Sequence, residues 1–333
     1  MNRQSFGSAT SEILKRVTIG PGADISPIVE ATTDQNLEAL RFPQVFDRGI
    51  EGSIEYSVLE ANPDEQSLGI FFMLPGIIET TASGSPLALQ LANRGAKVVL
   101  PGQYRGPITY RDHPAAISTR ADHYLSLIQH LGEGSRPDNW VAHSMGAIVL
   151  GQMMQIITKS RKFEDLNNIF AGNDVVLLAP SGMSEKDNLW DLAKRNCRNL
   201  QAEKKRTDTE TYEIASESSW SCMKYLLTHG PRTLKEVIEI SREGALSPEV
   251  FAGSGIARLA ILGQQADQLY PHNFLAIGYQ RLASAGVNVS YFVSFDPDKQ
   301  RHFTATHNNE QACPNMTVNS IEGFLKKDLD EHV

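Results

Sequence analysis

Short apolar runs recur along this chain, and the segments between them are long enough to form helices. Glycine, proline or polar residues bound the runs. Strands buried on both faces of a parallel sheet have this composition, because helices cover both faces of such a sheet. The sequence therefore predicts an α/β fold with a mostly parallel central sheet and helices on both faces. The predicted strands are 54–59, 69–74, 96–100, 140–142, 174–178, 258–262 and 287–293, and the predicted helices include 87–92, 121–131 and 146–158.

This alternation of strands and helices is interrupted between residues 182 and 253. Three helical patterns follow one another there, at 189–205, 218–228 and 234–242. An insertion between two strands often covers the carboxyl ends of the strands, where open α/β sheets bind ligands. We therefore predict a helical cap at 182–253 and a core formed by 48–181 and 254–333, with ordinary crossover helices as the alternative. Residues 1–47 have weak periodicity, which indicates an N-terminal extension over the core.

The charge balance argues against several classes of partner. The 333 residues include 31 Lys and Arg against 39 Asp and Glu, which gives a formal net charge of −8. An acidic chain without a basic stripe is a poor match for nucleic acid or for an anionic membrane surface. No apolar stretch reaches the roughly eighteen residues of a transmembrane helix, and residues 1–18 lack the pattern of a secretory signal. The oligomeric state stays open.

The spacing of cysteines and histidines predicts neither disulfides nor a metal site. Cys197, Cys222 and Cys313 are far apart and form no CxxC pair, which fits thiols in a reducing cytoplasm. The histidines show no H-E-x-x-H or paired spacing. No G-x-G-x-x-G or Walker-type loop follows a predicted strand. The sequence therefore predicts a cytoplasmic protein without a metal or a nucleotide cofactor.

Residues 142–146 carry the clearest catalytic signal. They are Ala-His-Ser-Met-Gly and lie between a predicted strand and a predicted helix. This is the G-x-S-x-G nucleophile-elbow pattern with alanine in the first glycine position. An elbow holds its serine in a strained backbone at a sharp turn, so the residues two before and two after it must be small. Ala142 and Gly146 meet that requirement, and Ser144 is the predicted nucleophile.

Residues 50–327 resemble the α/β-hydrolase superfamily, and locally the serine hydrolases similar to monoglyceride lipases. In those enzymes a strand ends in H-G-x-x-E, a later strand leads into an R-G turn, and the elbow contains H-S-M-G. The matching segments are 75–79 (Pro-Gly-Ile-Ile-Glu), 104–106 (Tyr-Arg-Gly) and 143–146 (His-Ser-Met-Gly). Pro75 stands in place of the usual histidine, and Ala142 in place of the usual glycine. The resemblance implies an α/β-hydrolase fold with a cap insertion.

The resemblance also implies roles for other residues by their position. The N–H groups of Ile77 and Met145 would form the oxyanion hole, which stabilises negative charge on the carbonyl oxygen of the substrate. Asp267, in a turn after the strand at 258–262, would be the acid that orients the catalytic histidine. The alternatives are a simple turn at 75–76 and a solvated aspartate at 267.

Two histidines compete for the role of base. His302 precedes Phe303, which resembles the family's G-H-F, whereas His307 precedes Pro314 and the closing helix by the usual interval. Because the serine needs one base within hydrogen-bond reach, we predict His307 as the base and His302 as a loop or pocket residue. His143, directly before the serine, is predicted to pack rather than to catalyse.

These residues predict a serine hydrolase that cleaves a carboxylic ester or thioester of a small acyl substrate through an acyl-enzyme. Ser144 would attack, His307 would move the proton and Asp267 would orient the histidine. A serine in the elbow argues against the dehalogenase and epoxide-hydrolase chemistries, which use a carboxylate nucleophile. The alternatives are an acyltransferase or lyase that uses the same triad, and a non-catalytic ligand-binding protein. Nothing in the sequence specifies the acyl chain.

Overall fold

The computed structural model describes residues 32–77, 79, 81–105, 116–183, 190–192, 194–195, 197–198, 235–240, 246–264, 267–294 and 314–326. Across these residues no helix is long and apolar enough to cross a membrane. Of the three cysteines only Cys197 lies within them, and its side chain is exposed.

The centre of the fold is an eight-stranded sheet with the strand order β1-β2-β4-β3-β5-β6-β7-β8. β1 and β2 are antiparallel to their neighbours, and all pairs from β4 to β8 are parallel. The prediction of a mostly parallel sheet is confirmed. The strands are β1 (Gln44–Asp47), β2 (Ser53–Leu59), β3 (Gly69–Leu74), β4 (Ala96–Arg105), β5 (Asn139–His143), β6 (Asp174–Leu178), β7 (Arg258–Gln264) and β8 (Val289–Ser294).

Helices cover both faces of the sheet, as the apolar runs predict. Successive residues of β3 point to opposite faces, so Phe71 and Met73 belong to one buried cluster and Phe72 and Leu74 to the other. α2 and α7 pack on the first cluster, and α3 to α6 pack on the second. The helices are α1 (Asp34–Arg41), α2 (Thr81–Asn93), α3 (Ala116–Leu131), α4 (Gly146–Lys159), α5 (Pro248–Gly253), α6 (His272–Ser284) and α7 (Pro314–Lys326).

β4 is longer than its apolar run predicts. Its parallel pairing with β3 ends at Val99, but its antiparallel pairing with β2 continues to Arg105. The residues after Leu100 are therefore held in the sheet by a neighbour on one side. Gln103 lies in this extension and is buried. The extension carries β4 past the end of β3, beside the loop that follows β3.

The sheet begins inside the segment that we interpret as an N-terminal extension. β1 pairs with β2 as an edge strand, and most of its side chains are exposed. α1 is joined to the core by Asn36, whose side-chain amide exchanges two 2.8 Å hydrogen bonds with the backbone of Glu60. Because an exposed edge strand needs no apolar run, the sequence pattern does not reveal β1.

Part of the predicted cap segment 182–253 is described: residues 182–183 and 246–247 have no regular secondary structure, and the other described residues, which include α5, are helical. Residues 190–192, 194–195, 197–198 and 235–240 are helical, and the predicted helix at 218–228 lies outside the described residues. Glu239 accepts hydrogen bonds from the first two N–H groups of α3, at 2.7 and 3.0 Å. This contact satisfies N–H groups that a helix leaves unpaired at its start. α3 thus begins at Ala116, five residues before the predicted helix 121–131.

A second contact joins 235–240 to α3. Arg120 and Glu236 form an ion pair at 2.6 Å, and both side chains are 0% exposed. Removing one member of a buried ion pair leaves an uncompensated charge away from water. The pair therefore ties this segment to the core more tightly than a surface ion pair would.

Replacing Glu236 is expected to destabilise the fold. We expect Glu236→Gln to lower the free energy of unfolding by about 3–5 kcal/mol, because it removes the negative charge that pairs with the buried Arg120 guanidinium. The double variant Arg120→Met with Glu236→Leu should recover most of that loss, since neither charge remains. Urea denaturation followed by circular dichroism measures both.

Glu133→Gln is the matched control. Glu133 pairs with Arg136 at 2.7 Å, but the two side chains are 80% and 40% exposed. Water screens such a pair, so this change is expected to cost less than about 1 kcal/mol. Equal losses in Glu236→Gln and Glu133→Gln would contradict the anchoring role of Glu236.

Candidate active site

Ser144 lies in a sharp turn between β5 and α4. Its φ is +51°, in the left-handed region that residues other than glycine seldom adopt. β5 ends at His143 and α4 begins at Gly146, so only two residues connect strand to helix. The elbow geometry that residues 142–146 predict is therefore present at Ser144.

Hydrogen bonds hold the strained backbone of Ser144 on both sides. Its N–H donates to the carbonyl of Leu178 at 2.9 Å, which continues the pairing of β5 with β6. Its carbonyl accepts from the N–H of Ser181 at 3.1 Å, from the hydroxyl of Ser181 at 3.0 Å and from the N–H of Ala147 at 3.2 Å. Because both polar backbone groups are occupied, the turn cannot relax without losing several bonds.

Gly146, one of the two small residues around Ser144, has the predicted steric role. A Cβ atom at Gly146 would lie 2.5 Å from the carbonyl oxygen of Leu74 and 3.1 Å from that of Pro75. The start of α4 therefore packs directly against the backbone at the end of β3. This contact brings Met145 beside the loop that follows β3, and that loop contains Ile77. Met145 and Ile77 are the two residues whose N–H groups we predict for an oxyanion hole.

Side chains fix the loop after β3. The N–H of Gly76 donates to Oε2 of Glu79, and the carbonyl of Gly76 accepts from Nε2 of Gln103 at 2.6 Å. The other oxygen of Glu79 lies 2.5 Å from Nδ1 of His143. His143 is buried, in line with the prediction that it packs, and it also pairs with a carboxylate. No local sequence signal indicates Gln103 or the Glu79–His143 pair, although the resemblance to H-G-x-x-E includes Glu79.

Asp267 lies in the turn that follows β7, with its side chain buried. It is 2% exposed, so it is not the solvated aspartate of the alternative interpretation. Its Oδ1 accepts hydrogen bonds from the N–H groups of Leu269 and Tyr270, at 2.7 and 3.0 Å. Two backbone donors on one oxygen fix the orientation of the carboxylate, which an orienting acid requires.

The sheet brings Ser144 and Asp267 to the same edge. β5, β6 and β7 are parallel neighbours in that order, so their carboxyl ends lie side by side. The ends of β5 and β7 are two strand spacings apart, about 10 Å. A further link runs through the end of β6, where the N–H of Ala179 donates to the carbonyl of Leu262 at 2.9 Å. An imidazole between the two side chains would complete a triad.

Both candidate bases, His302 and His307, lie outside the described residues. They belong to the connection between β8, which ends at Ser294, and α7, which begins at Pro314. Because β8 is parallel to β7, the chain leaves β8 at the edge that carries Asp267. The closing helix does begin at Pro314, as the interpretation of His307 requires.

His272 is a described histidine close to Asp267 in the chain, and it contacts a tyrosine. Its Nδ1 lies 2.6 Å from the hydroxyl of Tyr291. Burial raises the pKa of Tyr291 to about 12, because it disfavours the charged phenolate. A tyrosine hydroxyl is protonated at neutral pH even without this shift, so it can donate to a His272 ring whose Nδ1 carries no proton. Within the described part of the chain no group of His, Cys, Asp and Glu has an arrangement that could hold a metal ion.

The fold is similar to that of many solved structures, although no protein-family model and no curated protein sequence matches the chain. An esterase from Thermogutta terrifontis has a TM-score of 0.55 and 16% identity, over 85% of this chain and 98% of its own. An esterase from Exiguobacterium antarcticum has a TM-score of 0.53 and 12% identity, over 87% and 99%. The 2-hydroxy-6-oxo-6-phenylhexa-2,4-dienoate hydrolase from Rhodococcus sp. strain RHA1 has a TM-score of 0.59 and 15% identity, over 86% and 98%. The chain therefore has the α/β-hydrolase fold.

The close approach at Gly146 generates a stability prediction. Gly146→Ala is expected to lower the free energy of unfolding by about 1–3 kcal/mol, because the added methyl group meets backbone that no rotamer change can move away. Gly323→Ala is the control. Gly323 lies within α7, where an added Cβ meets nothing within 4 Å.

At Gly323 the same substitution is expected to raise the free energy of unfolding by about 0.5–1 kcal/mol, since alanine favours a helix over glycine. Denaturant titration of both variants measures the difference. If the two variants were equally stable, the contact between α4 and the end of β3 would not be as tight as 2.5 Å implies.

Proposed function

We propose that the protein is a serine hydrolase that cleaves a carboxylic ester or thioester through an acyl-enzyme. The observation that carries the proposal is the left-handed backbone of Ser144 at a strand-to-helix turn. Strain of this kind costs about 1–3 kcal/mol and is concentrated at functional sites. In an elbow it directs the serine hydroxyl out of the turn, where a substrate and a base can both reach it.

The proposed mechanism uses one residue from each of three connections at the same edge. Ser144 attacks the carbonyl carbon while His307 takes its proton, and Asp267 holds the imidazole in the required tautomer. The N–H groups of Ile77 and Met145 stabilise the oxyanion that forms. The protonated His307 then donates to the leaving alcohol or thiol, and the same residue activates the water that releases the acyl group.

We further propose that residues 182–253 form a cap over this edge. α3 and α6 follow β4 and β7, so their first turns lie near the carboxyl ends of parallel strands. Glu239 binds the first turn of α3, and the guanidinium of Arg195 lies 4.5 Å from the ring centre of Phe274 in the first turn of α6. Two separate parts of the segment thus contact elements that begin at the candidate site. These contacts support a cap that limits the access of substrate.

Ser144→Ala tests the nucleophile. We expect it to abolish labelling by a fluorophosphonate probe and to lower kcat on p-nitrophenyl esters by at least about a thousandfold, since no other group can form the acyl-enzyme. Ser126→Ala is the control, because Ser126 lies on α3 and its hydroxyl bonds to the carbonyl of Asp122. Labelling that persists in Ser144→Ala would refute the proposal. An unlabelled wild-type protein would instead favour the non-catalytic alternative.

Alanine variants of the two histidines test the base. His307→Ala is expected to lower kcat by a factor similar to that of Ser144→Ala, because serine and base act as one unit. His302→Ala should keep most of the activity. Steady-state kinetics on the same esters compare the two. If His302→Ala is inactive and His307→Ala is active, the roles of the two histidines are exchanged.

A further inference from the structure

We propose that Gln103, Glu79 and His143 are positioning residues for the oxyanion hole. Together they hold the peptide unit between Gly76 and Ile77 in the orientation that an oxyanion donor requires. The inference rests on the proposed function, because it concerns the N–H group of Ile77 that we assign to the substrate oxyanion.

Gln103 fixes the direction of the N–H of Ile77 through the opposite end of the same peptide unit. Its Nε2 donates to the carbonyl oxygen of Gly76 at 2.6 Å. The structure has no cis peptide bond among the described residues, and in a planar trans unit the C=O and the following N–H point in opposite directions. A bond that holds the oxygen of Gly76 therefore aims the N–H of Ile77 away from Gln103. It also polarises that N–H, because hydrogen bonds at the two ends of a peptide unit strengthen each other.

Gln103 is well suited to this role because it cannot move easily. Its side chain is 4% exposed. It lies in the part of β4 that continues past the end of β3 and pairs only with β2. The acceptor also determines which end of its amide faces the loop, since only the NH₂ group can donate to a carbonyl oxygen. The extension of β4 thus places the side-chain NH₂ group of Gln103 within hydrogen-bond distance of the Gly76 carbonyl, in the loop after β3.

Glu79 and His143 hold the same loop from its other side. Oε2 of Glu79 accepts from the N–H of Gly76, and Oε1 lies 2.5 Å from Nδ1 of His143. The side chains of His143 and Glu79 are 7% and 12% exposed, so water competes little for these bonds. Hydrogen bonds to a carboxylate are stronger than those between neutral groups. Because His143 directly precedes Ser144, the pair connects the loop to the elbow.

Gly76 has both of its backbone polar groups bound by side chains. A Cβ atom there would lie 3.2 Å from Oε2 of Glu79 and 3.3 Å from Nδ1 of His143, so the two side chains approach the backbone closely. The preceding residue, Pro75, has no N–H to offer, and β3 has already ended at Leu74. These side chains therefore hold the backbone of the loop at Gly76. Weakening them should disturb the oxyanion donor while the fold persists.

Gln103→Met is the first test, because methionine has a similar length and volume but donates no hydrogen bond. On p-nitrophenyl esters we expect kcat to fall about tenfold to a hundredfold with KM changed less than about twofold. Complete loss of an oxyanion donor costs about a hundredfold to a thousandfold, and a misaligned donor should cost less. The rate of fluorophosphonate labelling should fall in parallel, because the tetrahedral adduct uses the same donors.

Two variants at Glu79 provide the second test. Glu79→Gln retains an oxygen for the N–H of Gly76 and a group that can bond to His143, so kcat should stay within about threefold of the wild type. Glu79→Leu removes both contacts and should lower kcat about as much as Gln103→Met does. A merely structural role would make the two Glu79 variants differ in melting temperature and not in kcat.

Gln129→Met is the matched control for Gln103→Met. Gln129 is exposed on α3, and its Nε2 donates to Asp165 at 2.9 Å. The same chemical change at that position should leave kcat, KM and labelling unchanged. A fall in kcat for Gln129→Met equal to that for Gln103→Met would overturn the inference.

The outcomes separate this inference from the proposed function. If the wild type is labelled at Ser144 and hydrolyses esters, but both Gln103→Met and Glu79→Leu keep its kcat, the inference is overturned and the proposed function stands. A raised KM with an unchanged kcat would also overturn it, since that pattern indicates ground-state binding. If the wild type shows neither labelling nor hydrolysis, the proposed function itself fails. Should Gln103→Met fail to fold, the comparison of Glu79→Gln with Glu79→Leu decides.

Discussion

The left-handed backbone of Ser144 is the constraint on which the candidate site depends. A conformation that costs about 1–3 kcal/mol persists only where its surroundings determine it completely. Here the N–H of Ser144 is bound to β6, and its carbonyl is bound to Ser181 and to the first turn of α4. A rigid parallel sheet supplies these partners at fixed positions, so the strain at one residue is balanced by the pairing of whole strands.

The same sheet explains why the candidate groups come from distant parts of the chain. Parallel strands end at a common edge, and each adds one connection there: residues 75–79 after β3, Ser144 after β5 and Asp267 after β7. The register between strands determines how far along the sheet each connection begins, as in the pairing of Leu74 with Ala142 near the ends of β3 and β5. In the loop after β3, side chains bind both backbone polar groups of Gly76, so single substitutions of those side chains should disturb it.

The elements with a local signature could be predicted from the sequence. The apolar runs at 69–74 and 174–178 match β3 and β6, and the small residues around Ser144 predict a turn that is present. β1 could not be predicted, because an exposed edge strand has no apolar run. Nor could the contacts of Gln103 with Gly76 and of Glu79 with His143, since they join residues 27 and 64 positions apart and depend on strand order. The roles of His302 and His307 stay predictions.

The buried pair of Arg120 and Glu236 determines how the segment 235–240 can move. Both side chains are 0% exposed, so drawing them apart requires the segment to leave α3 and water to reach both charges. Residues 235–240 are therefore expected to stay attached to α3. Any opening of the proposed cap would then leave 235–240 in place on α3, and the rearrangement would fall on the other parts of the segment.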